Sequence, residues 1–147
     1  MKEKSKQPWN DKLNKKAEPK VKHIDKRFSD IEEDSDMLVA TPKIFEEYIR
    51  KIPKGEFVDI KKVRKDLAKR FKADATCPVT TGLFLRIVAE SAFEKYHSGT
   101  KLSEIPPFWR VIAPNSSIAK KLSFGTEFIT SMQKKEGIET SSVTLKT

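Results

Sequence analysis

The sequence predicts a mainly α-helical domain with a small β-hairpin, built as a winged helix-turn-helix behind a disordered N-terminal tail. Three observations predict it. Apolar residues recur at helical spacing in successive segments after residue 40. A short aromatic and β-branched run, Phe108 to Ile112, lies between prolines and reads as a strand. The stretch before residue 41 shows neither period and is dominated by charge.

The charge divides the chain. Residues 1–27 hold ten Lys/Arg against four Asp/Glu, a balance of +6. Trp9, Leu13, Val21 and Ile24 are scattered there, and Pro8 and Pro19 interrupt any helix. So little apolar surface does not offset the entropy of ordering, and disorder is expected. Residues 28–40 reverse the sign: Asp30, Glu32, Glu33, Asp34 and Asp36 give −5 with no base. This acidic linker either shields a basic surface of the same chain or is simply solvated. Residues 41–147 carry 20 bases and 12 acids, so the folded part is itself basic at +8. The expected organisation is a basic tail and acidic linker over 1–40, a winged-helix unit over 41–138 and a frayed tail over 139–147.

Within the folded part, Thr41-Pro42 is a helix start, with Thr as N-cap and Pro in the first turn. Ile44, Phe45, Tyr48, Ile49 and Ile52 share one face before Pro53-Lys54-Gly55 ends it. Asp59 caps a second helix with Ile60, Val63, Leu67, Ala68 and Phe71 on its apolar side. Its other side carries Lys61, Lys62, Arg64, Lys65, Lys69, Arg70 and Lys72. A break at Ala73 to Ala75 leads through Thr76-Cys77-Pro78 to a third helix, Val79 to His97, apolar nearly all round and so buried on most sides. The second and third helices form the helix-turn-helix, with a longer turn than usual. Phe108 to Ile112, the turn Pro114-Asn115-Ser116 and a return strand from Ile118 to Leu122 make the wing. A last helix runs from Thr126 to about Glu136, with Gly137 as C-cap.

Several classes are excluded. One cysteine allows no disulfide within the chain and no Cys-based zinc site, and His23 and His97 add little ligand capacity. No metal or cofactor is expected. No apolar run approaches the ~18 residues of a membrane span, and the charged N-terminus lacks a signal peptide's apolar stretch. A monomer in a reduced intracellular setting is expected, cytoplasmic and nucleoid-associated if the partner is DNA.

The order of parts over residues 41–137 resembles the DNA-binding domain of the methylated-DNA–protein-cysteine methyltransferase (O6-alkylguanine alkyltransferase) family. Ile52-Pro53-Lys54-Gly55-Glu56 resembles that family's "IPxGE" turn before its helix-turn-helix. Pro107-Phe108-Trp109-Arg110-Val111-Ile112 resembles its active-site "PCHRVI", and Gly125 to Gly137 its closing "G…EG" helix. The resemblance implies the winged fold of that C-terminal domain. It also implies a chemistry in which an alkylated guanine is flipped into a pocket and a cysteine takes its alkyl group. That cysteine is deprotonated through a histidine and water, with a glutamate orienting the histidine. Here Phe108 and Trp109 stand at the cysteine and histidine positions, while Arg110 and Glu136 remain. The flipping tyrosine corresponds to Ile60, and the arginine that replaces the flipped base to Val79. The chain is thus similar to the alkyltransferase-like proteins, which bind alkylated DNA without repairing it and pass it to repair factors. It is closer still to a divergent branch with a "TCP-TTG-FLRI-AE" segment, here Thr76 to Glu90.

The candidate site residues follow. Lys61, Lys62, Arg64, Lys65, Lys69 and Arg70 line either DNA phosphates or a solvated helix face. Thr80, Thr81 and Gly82 open the recognition helix and either contact DNA or serve capping and packing. Pro107, Phe108, Trp109, Arg110 and Glu136 are the remnant of the reactive motif; the two aromatics stack on a base or plug the pocket. Cys77 is either a relocated alkyl acceptor at a helix N-terminus or a small half-buried residue. The leading expectation is a non-catalytic DNA-binding protein whose partner is double-stranded DNA, alkylated or unmodified, with a repair protein as a further partner. The alternatives are a methyltransferase using Cys77 and a protein- or RNA-interaction module.

Overall fold

A computed structural model describes residues 7–138. Helix α1 (Pro8–Asn14) opens the described chain, followed by strands β1 (Lys20–Ile24) and β2 (Ser35–Val39). Helix α2 (Pro42–Arg50), helix α3 (Ile60–Arg70), strand β3 (Ala75–Thr76) and the long helix α4 (Pro78–His97) come next. Two 3₁₀ turns, Leu102–Glu104 and Phe108–Arg110, lead to α5 (Ser117–Lys120) and α6 (Glu127–Glu136). The class is therefore mixed: helices around one core, with a small three-stranded sheet in the order β1-β2-β3.

The helix starts form where local chemistry demands them. The Thr41 hydroxyl accepts from the Ile44 amide at 3.3 Å, with Pro42 in the first turn, where its missing N–H removes no bond. The Asp59 carboxylate accepts from the Lys62 amide at 2.9 Å and starts α3. Gly137 ends α6 at φ +76, a left-handed conformation that glycine adopts without strain. Helix α4 is the central rod. Leu85, Val88, Ala89 and Ala92 along it are fully buried, against Ile49, Val63, Phe108, Ile112 and Ile129 from the surrounding elements.

Two expectations are corrected. Residues 8–40 are not a disordered tail. Helix α1 lies along α4, with Leu13 buried at 1% exposure in the main core. The Trp9 and Asn10 amides donate to the Glu94 carboxylate at 3.2 and 3.0 Å. β1 and β2 form an antiparallel hairpin, Lys20 opposite Val39 and Ile24 opposite Ser35, and β2 pairs in parallel with β3. The ordering entropy is met by a few long-range contacts that no local period reveals. Residues 1–6 and the expected frayed tail at 139–147 lie outside the described residues.

The expected wing at residues 108–122 is also absent. A half-buried strand alternates its faces, but Phe108, Trp109, Val111 and Ile112 are all buried. The backbone curls instead: the Arg110 amide donates to the Pro107 carbonyl at 3.0 Å and the Ile112 amide to Phe108 at 3.1 Å. The Ser116 hydroxyl then accepts from the Ala119 amide at 3.2 Å and starts α5 where a return strand was expected. The only hairpin among the described residues is β1-β2.

Candidate nucleic-acid interface

Helix α3 buries Val63, Leu67 and Ala68, which fixes the direction of every other side chain on it. Lys61, Lys65 and Lys69 recur at i, i+4 and i+8, and Lys72 lies just past the helix end at φ +56. At 1.5 Å per residue the three helical lysines span about 12 Å. All four are exposed, and none forms a side-chain hydrogen bond or ion pair among the described residues. The other predicted cations are engaged. Lys62 bonds the Asp66 carboxylate at 2.9 Å, and Arg70 lies 3.6 Å from Glu47. Asp66 also accepts from the Tyr48 hydroxyl at 2.6 Å. That hydroxyl and Lys62 hold the Asp66 carboxyl below the usual carboxylate range.

Arg64 is the most constrained of the set. Its Nη1 and Nη2 donate to the two carboxylate oxygens of Asp30, each at 2.7 Å. Its Nε donates to the Thr76 carbonyl at 3.1 Å, and the Thr76 hydroxyl returns a bond to the Arg64 carbonyl at 2.6 Å. The hydrogen bonds from Arg64 hold the Asp30 carboxyl below its usual range. The sequence sets Arg64 on a face that lines phosphates or is solvated, and Asp30 in a linker that shields a basic surface of the same chain or is solvated; the structure joins the two across 34 positions.

The first turns of α4 adjoin this pair through Thr76. Thr81 is buried and turns its hydroxyl back to the Cys77 carbonyl at 2.7 Å, so it presents no donor to solvent. The Thr80 hydroxyl oxygen is buried without a partner among the described residues. A Cβ on Gly82 would meet Ile118 at an ordinary 4.0 Å, so close packing does not require glycine there. The exposed residues on this end are Val79 (65%) and Leu83 (52%), one turn apart. Apolar side chains on the exposed start of a mostly buried helix are a feature that periodicity alone did not single out.

Trp109, Arg110 and Glu136 are brought together. Glu136 from α6 accepts from Arg110 Nε at 2.9 Å and Nη2 at 2.8 Å, from Trp109 Nε1 at 2.8 Å and from the Gly55 amide at 3.0 Å. Arg110 Nη1 donates to the Ile52 carbonyl at 2.7 Å. Burial pushes the Glu136 carboxyl up, but Arg110, the Gly55 amide and the Trp109 indole together outweigh it and hold the group at about 2. Gly55 sits at φ +87, which lets the turn after α2 point its amide at this carboxylate. Phe108 is fully buried, with ring centroids 5.7 Å from Phe128 and 5.8 Å from Phe124. Pro107, also buried, joins Arg50, Lys54, Ile105, Trp109 and Met132 around a shallow cleft of about 600 Å³.

Cys77 is buried at 4% exposure beneath Ile31 and Met37, a small cluster apart from the main core. Both ring nitrogens of His23 lie within hydrogen-bond distance of carboxylates, Asp36 at 2.9 Å and Asp34 at 2.8 Å. Among the described residues no group of His, Cys, Asp and Glu could hold a metal ion, and no helix is long and apolar enough to cross a membrane. No family model, curated protein or solved structure matches the chain.

Proposed function

We propose that the protein is a non-catalytic DNA-binding protein, a divergent relative of the alkyltransferase DNA-binding domains, and that duplex DNA docks on α3 and the start of α4. The lysine stripe of α3 carries this reading. Four exposed ammonium groups that form no side-chain hydrogen bond or ion pair among the described residues, three on a helix and one just past its end, where a short strand leads into a second helix, fit the phosphates of one DNA strand. In this reading α3 and α4 are the helix-turn-helix, and residues 108–122 supply no wing. Burial of Cys77 and loss of the thiol and imidazole positions to Phe108 and Trp109 speak against alkyl transfer.

Fluorescence anisotropy with a labelled duplex over a salt series tests it. Binding should weaken steeply with salt. Replacing Lys61, Lys65 and Lys69 by Ala should flatten the log–log salt slope by about 3. Absence of binding at low salt, or a triple variant with an unchanged slope, refutes the reading. A duplex carrying O6-methylguanine run beside its unmodified twin reads lesion preference in the same experiment.

A further inference from the structure

We propose that Asp30 is a built-in surrogate for a DNA phosphate: it occupies the Arg64 fork in the free protein, and the acidic strap that carries it must leave before duplex docks. This rests on the DNA-binding reading above and adds a gate to it.

The Arg64 guanidinium is preset for an oxyanion. Its Nε is tied to the Thr76 carbonyl, which leaves Nη1 and Nη2 side by side toward one ligand. Asp30 fills that fork with two parallel bonds of 2.7 Å. Two oxygens of a phosphodiester present the same bidentate geometry, so carboxylate and phosphate are alternatives at one place. The Arg64 side chain is only 13% exposed while that of Asp30 is 55% exposed, so the arginine belongs to the body and the aspartate is the movable partner. Thr76, the residue that holds Arg64, leads directly into α4, which sets the fork beside the exposed start of that helix.

The strap, residues 25–34 between β1 and β2, is built to detach. A reciprocal backbone pair, Phe28 to Ile31 at 3.0 and 2.9 Å, closes a turn within it; besides Asp30, the buried Ile31 side chain and a contact of Asp34 with His23 at 2.8 Å tie it to the rest of the fold. Ile31 packs only in the small cluster with Met37 and Cys77, outside the main core. Ser29 and Asp34 both hold left-handed conformations, φ +56 and +58, so the closed strap carries local strain. A segment with few buried contacts opens at a free energy below that of global unfolding.

Duplex affinity of the full chain at one low salt concentration tests the gate in four forms: wild type, Asp30→Asn, Glu33→Gln and the double variant Asp30→Asn/Arg64→Gln. Glu33→Gln is the charge-matched control, because Glu33 has no side-chain partner among the described residues. Asp30→Asn should bind about fivefold or more tighter than wild type, since it frees a bidentate arginine. Glu33→Gln should gain twofold at most. Adding Arg64→Gln should erase the Asp30→Asn gain. Equal gains for Asp30→Asn and Glu33→Gln, with wild type binding, overturn the gate and leave the DNA reading standing. Failure of every form to bind overturns the DNA reading itself.

Discussion

Replacing Glu136 by Gln keeps the side chain's shape and removes its charge, which isolates what the carboxylate does. In the folded protein the carboxylate is 4% exposed and accepts from Arg110, Trp109 and the Gly55 amide. Glutamine keeps one acceptor, but its amide places N–H against N–H on the other side. The magnitude follows from linkage. The fall from an ordinary 4.5 to about 2 corresponds to about 3 kcal/mol of preferential binding to the ionised form. Loss of one member of a buried ion pair commonly destabilises by about 3–5 kcal/mol, which agrees. For a chain this size, about 3 kcal/mol lowers the melting temperature by roughly 6–12 °C. The sign of the pH dependence is fixed. Because the folded value is depressed, the contribution is complete above the unfolded value of 4.5 and is lost as pH falls through about 2. At about pH 3 roughly half should remain. Urea titrations of wild type and Glu136→Gln at neutral pH and at about pH 3 measure it. A gap near 3 kcal/mol that narrows to about half supports the clamp. A gap that is small at neutral pH, or does not change with pH, refutes the reasoning.

Leu13→Ala should cost about 2–4 kcal/mol in a urea titration, because Leu13 is buried at 1% exposure in the main core; a change within experimental error would return residues 8–14 to the status of a loose tail. The Cys77 thiol should react with an aromatic disulfide reagent only slowly in the native protein and at once in denaturant, since it lies at 4% exposure; immediate native reaction would contradict its burial. Gly55→Ala should destabilise by about 1 kcal/mol, from the strain of a Cβ at φ +87 and crowding 3.4 Å from the Glu136 carbonyl; a neutral result would show that the turn relaxes freely.

The sequence was most legible where the deciding interaction is local. Thr41-Pro42, Asp59 and Gly137 each mark a helix end through bonds within a few residues, and all three stand where they were expected. Long-range choices were not legible. Leu13 is a single apolar residue among charges, and only the presence of α4 beside it makes burial worthwhile. Met37, Leu38 and Val39 are too short a run to separate strand from helix. The Phe108–Ile112 stretch has strand composition, yet burial on all sides favours a curled turn, and composition alone does not report that. The site divides in the same way. The lysine row of α3 follows from its period, whereas the engagement of Arg64 by Asp30 and of Lys62 by Asp66 depends on geometry. Trp109, Arg110 and Glu136 were grouped only through the family resemblance, and they do meet in space.

The chemistry of Trp109 bears on what this cluster does. In the chemistry that the resemblance implies, the group beside the glutamate must accept a proton and pass it on. An indole nitrogen only donates, and here it donates to Glu136 at 2.8 Å. The bond to the glutamate is thus available without the relay. Glu136, held at about 2, stays ionised near neutral pH and takes up no proton either. What the three residues accomplish is mechanical. Arg110 ties α6 to the carbonyl of Ile52 at the end of α2, and the Gly55 amide closes the same turn onto Glu136. The Val58 amide, just before the Asp59 cap of α3, donates to the Arg110 carbonyl at 2.8 Å. The cluster therefore sets the approach of the chain into α3. On the DNA-binding reading, the Trp109–Arg110–Glu136 cluster is the brace that orients the lysine-bearing helix.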